Sequence, residues 1–290
     1  MKNALTIDLE DYFHVSAFQD RISSAQWNIQ QSRIETNTEV LLDLLDGAGC
    51  KATFFTLGWI AEQHPALVRR VADRRHEIAC HSLRHRTVYD MTVEEFRQDT
   101  RQAKQLLEDA SGQEVRGYRA PSFSIRRDSF WAFEVLAELG FTYDSSIFPI
   151  NHPNYGIPGG ARDPWRIETP HGPIVEFPLT TLQLLGWRSP FGGGAYFRIL
   201  PYWYTRWGIR FLNTREHRHV CVYLHPWELD AEQPRMAGRI TSRIRHYLGL
   251  RSTPAKFRRL IRDFEFVPLG SLIDKVLLDQ PHSTGMRSIA

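Results

Sequence analysis

Only three cysteines occur in the 290 residues, Cys50, Cys80 and Cys221, an odd number in apolar, strand-like surroundings. That scarcity excludes a disulfide framework and predicts reduced, buried thiols. No apolar run reaches the roughly 18 residues a membrane-crossing helix needs, so no membrane span is expected. The chain meets Asp8 before a signal-peptide core of about 7–15 apolar residues could form, which leaves a cytoplasmic location as the expectation. Charge of one sign is scarce too: 36 basic against 33 acidic residues give a net +3, too little to argue for a nucleic-acid partner.

What is present is a chain that is 42% hydrophobic, long enough for one substantial core in a single domain spanning 1–290. Short apolar runs alternate with helical patterns. Ala4–Asp8 reads as a first strand. Thr38–Asp46 places Val40, Leu41, Leu44 and Leu45 at helical spacing, with Gly47 and Gly49 as a stop. Lys51–Leu57 reads as a second strand, and Ala66–Arg74 as a helix opened by Pro65. Glu77–Cys80 is a third strand, and Cys80 is read as its buried residue rather than as a ligand. Thr92 with Glu95 forms a capping box for a helix through about Asp109. Val115–Tyr118 and a helix from about Ser129 to Leu139 continue the alternation.

The chemistry-bearing residues fall at the ends of these runs. His81 and His85 are four apart, which on a helical turn would stack both imidazoles toward one divalent ion; alone, such a pair reads equally well as surface histidines. The acids Asp8, Glu10 and Asp11 follow the first strand and could supply a third ligand. Arg119 precedes Pro121, which stiffens the backbone; Asp144 ends the run Phe141–Tyr143; His225 ends the run Val220–Leu224. Singly these are open to reading as strand caps, turns or a packed His. Together they fall where a parallel α/β barrel converges its loops on one rim.

In order and spacing, Thr6-Ile7-Asp8, His81-Ser82-Leu83-Arg84-His85, Arg119-Ala120-Pro121, Tyr143-Asp144-Ser145 and Leu224-His225 resemble the five motifs of the polysaccharide deacetylases of carbohydrate esterase family four. The resemblance covers about residues 3–230. It implies a distorted, incomplete (β/α) barrel of about seven units, with one divalent ion, Zn first and Co, Ni or Fe as alternatives, held by His81, His85 and a carboxylate. It implies Asp8 as general base, Arg119 orienting that base, His225 as general acid, Asp144 fixing the His225 tautomer, and the backbone N–H of Ser122 as an oxyanion donor. In the commonest family pattern the base is followed at once by the metal Asp. Here Leu9 stands there, so Glu10, with Asp11 as the alternative, is the expected ligand. Arg75 stands where relatives often have Gly before His76-Glu77.

The implied substrate is an N-acetylated carbohydrate, and the eight Trp in a 12% aromatic composition suit a sugar site. Asp8–Phe13 and Asp263–Phe266 further resemble a subfamily found with bacterial exopolysaccharide and exosortase systems, which implies exopolysaccharide biosynthesis machinery as partner. The competing readings are a metal-dependent amidase on a small ureide-like amide and an inactive carbohydrate-binding relative. Residues 150–205, rich in Gly, Pro and Trp and including Gly192-Gly193-Gly194, break the alternation and read as a groove insertion or a structural lid. Residues 231–280 read as a helical C-terminal extension, with Phe257, Leu260, Ile261 and Phe264 on one face of Ala255–Phe264 and arginines on the other. Pro281 onward reads as a frayed tail.

Overall fold

The computed structural model describes residues 1–279 apart from 20, 153, 154 and 185; the expected tail from Pro281 lies outside them. The strands are β1 (Asn3–Leu9), β2 (Thr53–Thr56), β3 (Glu77–Cys80), β4 (Gly117–Tyr118), β5 (Tyr143–Asp144), β6 (Trp165–Ile167), β7 (Ile174–Glu176), the hairpin β8 (Thr181–Leu184) and β9 (Trp187–Pro190), β10 (Cys221–Leu224) and β11 (Phe266–Val267). The main sheet runs β10-β1-β2-β3-β4-β5-β7 in parallel, with β6 antiparallel on the outer edge of β7. The helices are α1 (Ile34–Gly47), α2 (Gly58–Gln63), α3 (Pro65–Asp73), α4 (Val93–Ser111), α5 (Trp131–Glu138), α6 (Gly194–Ile199), α7 (Tyr202–Thr214), α8 (Ile240–Tyr247), α9 (Thr253–Asp263) and α10 (Leu269–Asp279). This is the distorted, incomplete (β/α) barrel expected from the sequence.

The period-two alternation of a strand divides the core. Leu5, Ile7 and Leu9 of β1 join Phe54 and Ile78 and face the helices, where Leu41, Leu45, Leu67, Val71 and Phe96 meet them. Ala4, Phe55, Ala79, Tyr143 and Val175 fill the inside of the sheet. Asp8 is on that inner side, and Glu10, two residues on, keeps it. The same alternation sends Asp11 the other way. Its carboxylate accepts from Ser32 Oγ (2.8 Å) and from the backbone N–H groups of Arg33 (2.8 Å) and Ile34 (3.1 Å), satisfying donors at the start of α1.

The capping box at Thr92 forms, with Thr92 Oγ1 accepting from Glu95 N and Glu95 accepting from Thr92 N (2.8 Å). All three cysteines are buried free thiols. Arg75 holds a left-handed φ of 61°, a conformation that L side chains resist. Gly193 forms a parallel bridge to Tyr223 of β10, where an added Cβ would meet the tyrosine ring at 2.2 Å. The glycine run therefore lets the 150–205 segment lie against the open edge of the sheet.

Candidate active site and metal centre

Arg119 is the centre of the buried polar network. Its guanidinium is fully buried, donating to Asp8 Oδ1 (2.7 Å), Thr6 Oγ1 (2.8 Å), Ser145 O (3.0 Å) and Ser145 Oγ (3.0 Å), and it lies 4.1 Å from the Phe55 ring centroid. A planar fork with five donors suits this many acceptors at once. Burial alone would push the Asp8 carboxyl up, but the charge of Arg119, aided by His81 and His225, holds it below its ordinary value. Asp8 is thus kept ionised beside the cleft.

Glu10, His81 and His85 bring one ligand atom each within 4.8 Å of one another, all three buried. His81 Nδ1 lies 2.7 Å from the Arg119 carbonyl; a carbonyl only accepts, so Nδ1 carries the proton and Nε2 is left with a lone pair for a cation. Burial lowers His81 to about 4 and His85 to about 3, which keeps both imidazoles neutral. Glu10 Oε2 sits 3.1 Å from His85 Nε2 with no hydrogen-bond partner of proper geometry. Burial, with the Asp8 charge adding to it, pushes Glu10 up to about 8. A buried carboxyl with an orphaned oxygen beside two neutral imidazoles is a donor set that fits a divalent cation. Asp11, the alternative, is committed to the start of α1 and points away.

The two histidines do not share a helical turn. Residues 81–85 form a loop with left-handed φ at Ser82 (67°) and His85 (54°). The carbonyls of Ser82 and Leu83, which a helix would have used internally, accept instead from Gly58 N and Trp59 N at the start of α2, both at 2.9 Å. The spacing brings the rings together through that loop.

His225 closes the site from β10. Its Nε2 lies 3.4 Å from Glu10 Oε1 and 3.8 Å from Asp8 Oδ2. The sequence expectation that Asp144 orients this ring is corrected here. Asp144 accepts from Ser146 N (2.9 Å) and Ser146 Oγ (2.7 Å), and Ser146 Oγ in turn accepts from Ala120 N (2.8 Å). Asp144 therefore fixes the Arg119-Ala120-Pro121 turn. Burial and the neighbouring Asp144 charge push Glu176 well above the usual carboxylate range.

The partner of His225 is Glu228, fully buried, with Oε1 2.5 Å from Nδ1. Pro226 opens a one-turn 3₁₀ helix, Pro226–Leu229, whose three-residue period lets Glu228 reach back to His225. On its far side Glu228 accepts from Arg198 Nη1 of α6 (2.5 Å), itself buried. Burial would lower His225, but the hydrogen bond and charge of Glu228, with Glu10 and Asp8, raise it to about 9. The signal in the sequence was a Glu three residues after a His-Pro pair; for Arg198 there was none, since its partner lies 30 residues away.

These groups line a cleft of about 610 Å³, within the usual range for a small-ligand site. The 150–205 segment contributes Tyr155, Gly194 and Arg198 to it, and Tyr89, Phe123, Tyr223 and Trp227 add aromatic faces. Ser122, expected to offer its N–H, lines the cleft with φ 53°, and its Oγ lies 2.5 Å from Ser16 Oγ.

Residues 22–143 match the model of the polysaccharide deacetylase family, and residues 145–274 match that of a domain of unknown function (DUF3473). The chain is 32% identical over 98 residues to a peptidoglycan-N-acetylglucosamine deacetylase of Bacillus cereus, covering 33% of this chain and 36% of that protein. It therefore spans little more than a third of that relative. Two solved structures share the fold: a protein of Mycobacterium smegmatis assigned to the polysaccharide deacetylases (TM-score 0.61, 22% identity, 96% of this chain and 90% of that one) and the Puue allantoinase (TM-score 0.60, 15% identity, 97% and 91%). The chain thus carries, in residues 22–143, a region matched by the polysaccharide deacetylase family model, and it is this region that brings His81, His85 and Arg119 to one rim of the incomplete barrel.

Proposed function

We propose that this protein is a metal-dependent hydrolase that removes N-acetyl groups from amino-sugar units of a bacterial exopolysaccharide or its precursor. The observation that carries the reading is the Glu10, His81 and His85 donor set beside the Asp8–Arg119 pair and the His225–Glu228 pair, all on one aromatic cleft. Glu10, His81 and His85 would hold a divalent ion, zinc first. Such an ion supplies polarisation of the acetamide carbonyl and acidification of water.

The chain's own residues divide the proton work. Asp8, ionised and pinned by Arg119, takes a proton from the attacking water. His225, protonated through Glu228, donates from Nε2 to the departing amine. The backbone N–H of Ser122, at the edge of the cleft, stabilises charge on the acyl oxygen. Tyr155, Tyr223 and Trp227 give the sugar ring apolar faces to pack on.

The test is acetate release from N-acetylglucosamine oligomers, with ammonia release from small cyclic ureides run in parallel. Acetate release that a chelator abolishes and zinc restores is the expected result. Ammonia release without acetate would replace the sugar reading with the amidase one, and turnover of neither would leave a carbohydrate-binding role.

A further inference from the structure

The modest net charge hides a strong segregation. Residues 233–262 contain nine Arg and Lys and no Asp or Glu, which leaves 27 cations against 33 anions in the rest of the chain. Among the described residues, the one carboxylate within 4.0 Å of any of these nine cations is Asp263, beside Arg262. Elsewhere most basic side chains have a carboxylate beside them, as Arg74 has Glu39, Asp43 and Asp46. The 233–262 segment therefore presents an uncompensated positive field.

α8 lies inside this segment and turns an apolar stripe outward. Ile240 and Ile244 are 71% and 57% exposed, and Leu248, one further turn along, is 49% exposed. They recur every four residues and so share one side of the helix. Exposed Arg239 and Arg243 flank the stripe. Ile199, 47% exposed, widens it at the Leu248 end, because the preceding Arg198 backbone packs against Gly249. Another side of α8 is already used: Thr241, Ser242, Arg245 and His246 wall the cleft, and His246 stacks on Trp227 at 4.2 Å. The exposed stripe is thus not a misplaced core face.

We propose that the outer face of α8 docks on an anionic lipid bilayer, Ile240, Ile244 and Leu248 entering the interface while the flanking arginines meet acidic headgroups. A short helix with an apolar stripe bordered by arginines is the pattern of an in-plane interfacial element, and each basic residue near an anionic surface strengthens binding about fivefold. A second copy of this chain is a poor occupant, because a two-fold contact would set the same positive face against itself. Since α8 also walls the cleft, docking sets the cleft at the bilayer surface. The inference does not depend on the hydrolase reading.

The test is flotation of the full chain with phosphatidylcholine vesicles and with vesicles carrying about 30% phosphatidylglycerol, in low salt and in about 0.5 M NaCl, where screening is strong. Binding at least about tenfold tighter to the anionic vesicles, lost in high salt, is expected. Arg239→Ser with Arg243→Ser, and separately Ile240→Ser with Ile244→Ser, should each weaken it about tenfold or more, with circular dichroism and acetate release from soluble oligomers unchanged. Wild-type protein that floats no better with anionic than with neutral vesicles overturns the proposal without recourse to any variant. Folded double variants that bind like wild type overturn the assignment to α8.

Discussion

The two halves of the molecule build their share of the site by different means. The first half, through β5, places Asp8, Glu10, His81, His85 and Arg119 at or just past consecutive strand ends, so sheet register and the short 81–85 loop bring them together. The second half contributes His225 from a strand end, but its supporting cast is irregular: Glu228 from a single 3₁₀ turn and Arg198 from a short helix in the 150–205 segment. The Glu10–His81–His85 side rests on regular repetition, whereas the His225 side rests on one buried charge chain, His225–Glu228–Arg198, with few alternative partners. Loss of one member of a buried charged set leaves the others unpaired, typically costing about 3–5 kcal/mol. The second half should therefore be the more sensitive to loss of a charge partner and the first half the more decisive for metal and turnover.

The largest effect expected is on the first half. His81→Ala with His85→Ala should abolish bound metal and bring turnover to background while leaving the far-ultraviolet circular dichroism intact, since both residues lie in a loop at the rim. Elemental analysis and acetate release check this, and full metal occupancy in the double variant would remove the site. Glu10→Gln should weaken metal binding, and Asp11→Asn should retain it.

His225→Ala should lose about 10²–10⁴-fold in kcat with metal retained, the usual worth of positioned proton transfer. Glu228→Gln should lose less, on the order of 10–100-fold, the scale for an outer partner that orients a histidine. The pH profile separates it from Asp144→Asn. His225 is raised to about 9 chiefly against its own burial by Glu228, so the protonated acid persists through neutral pH and activity falls as pH rises past that value. A neutral amide at 228 withdraws the stabilising charge, and the high-pH limb moves down. Asp144→Asn should leave that limb in place and act through the Arg119 turn. A limb that moves with Asp144 and not with Glu228 would reverse the assignment drawn from the geometry.

The smallest effect is structural. Asp11→Asn keeps an acceptor but loses its charge at the start of α1, so a loss of about 0.5–1 kcal/mol is expected, and Asp11→Ala should cost about 0.5–2 kcal/mol. Thermal melting would show whether Asp11 is the cap described here. A drop in metal content with unchanged melting would return Asp11 to the metal site.

Much of the first half was legible because its signals are local. Pro65, the Thr92–Glu95 box and the short apolar runs around Ile7 and Phe54 each specify structure within one turn or one strand, and the structure keeps α3, α4 and β3 within two residues of the expected bounds. The helical turn expected for His81–His85 failed for a non-local reason: the carbonyls that would have closed it serve α2 instead. Asp144 was assigned to His225 on family resemblance, and its actual partners, Ser146 and Glu176, depend on how β5 meets β7.

The sequence by itself determined the alternating strands and helices, the reduced cysteines and the positions of Asp8, His81, His85, Arg119 and His225 at strand ends, because strand period, capping chemistry and turn residues act over a few bonds. Tertiary structure alone decided that Asp11 caps α1, that Glu228 and Arg198 hold His225, and that Arg239 and Arg243 flank an outward apolar stripe. Those outcomes turn on which buried charge finds which partner across tens to hundreds of residues, and desolvation makes that choice only once the chain has closed around it.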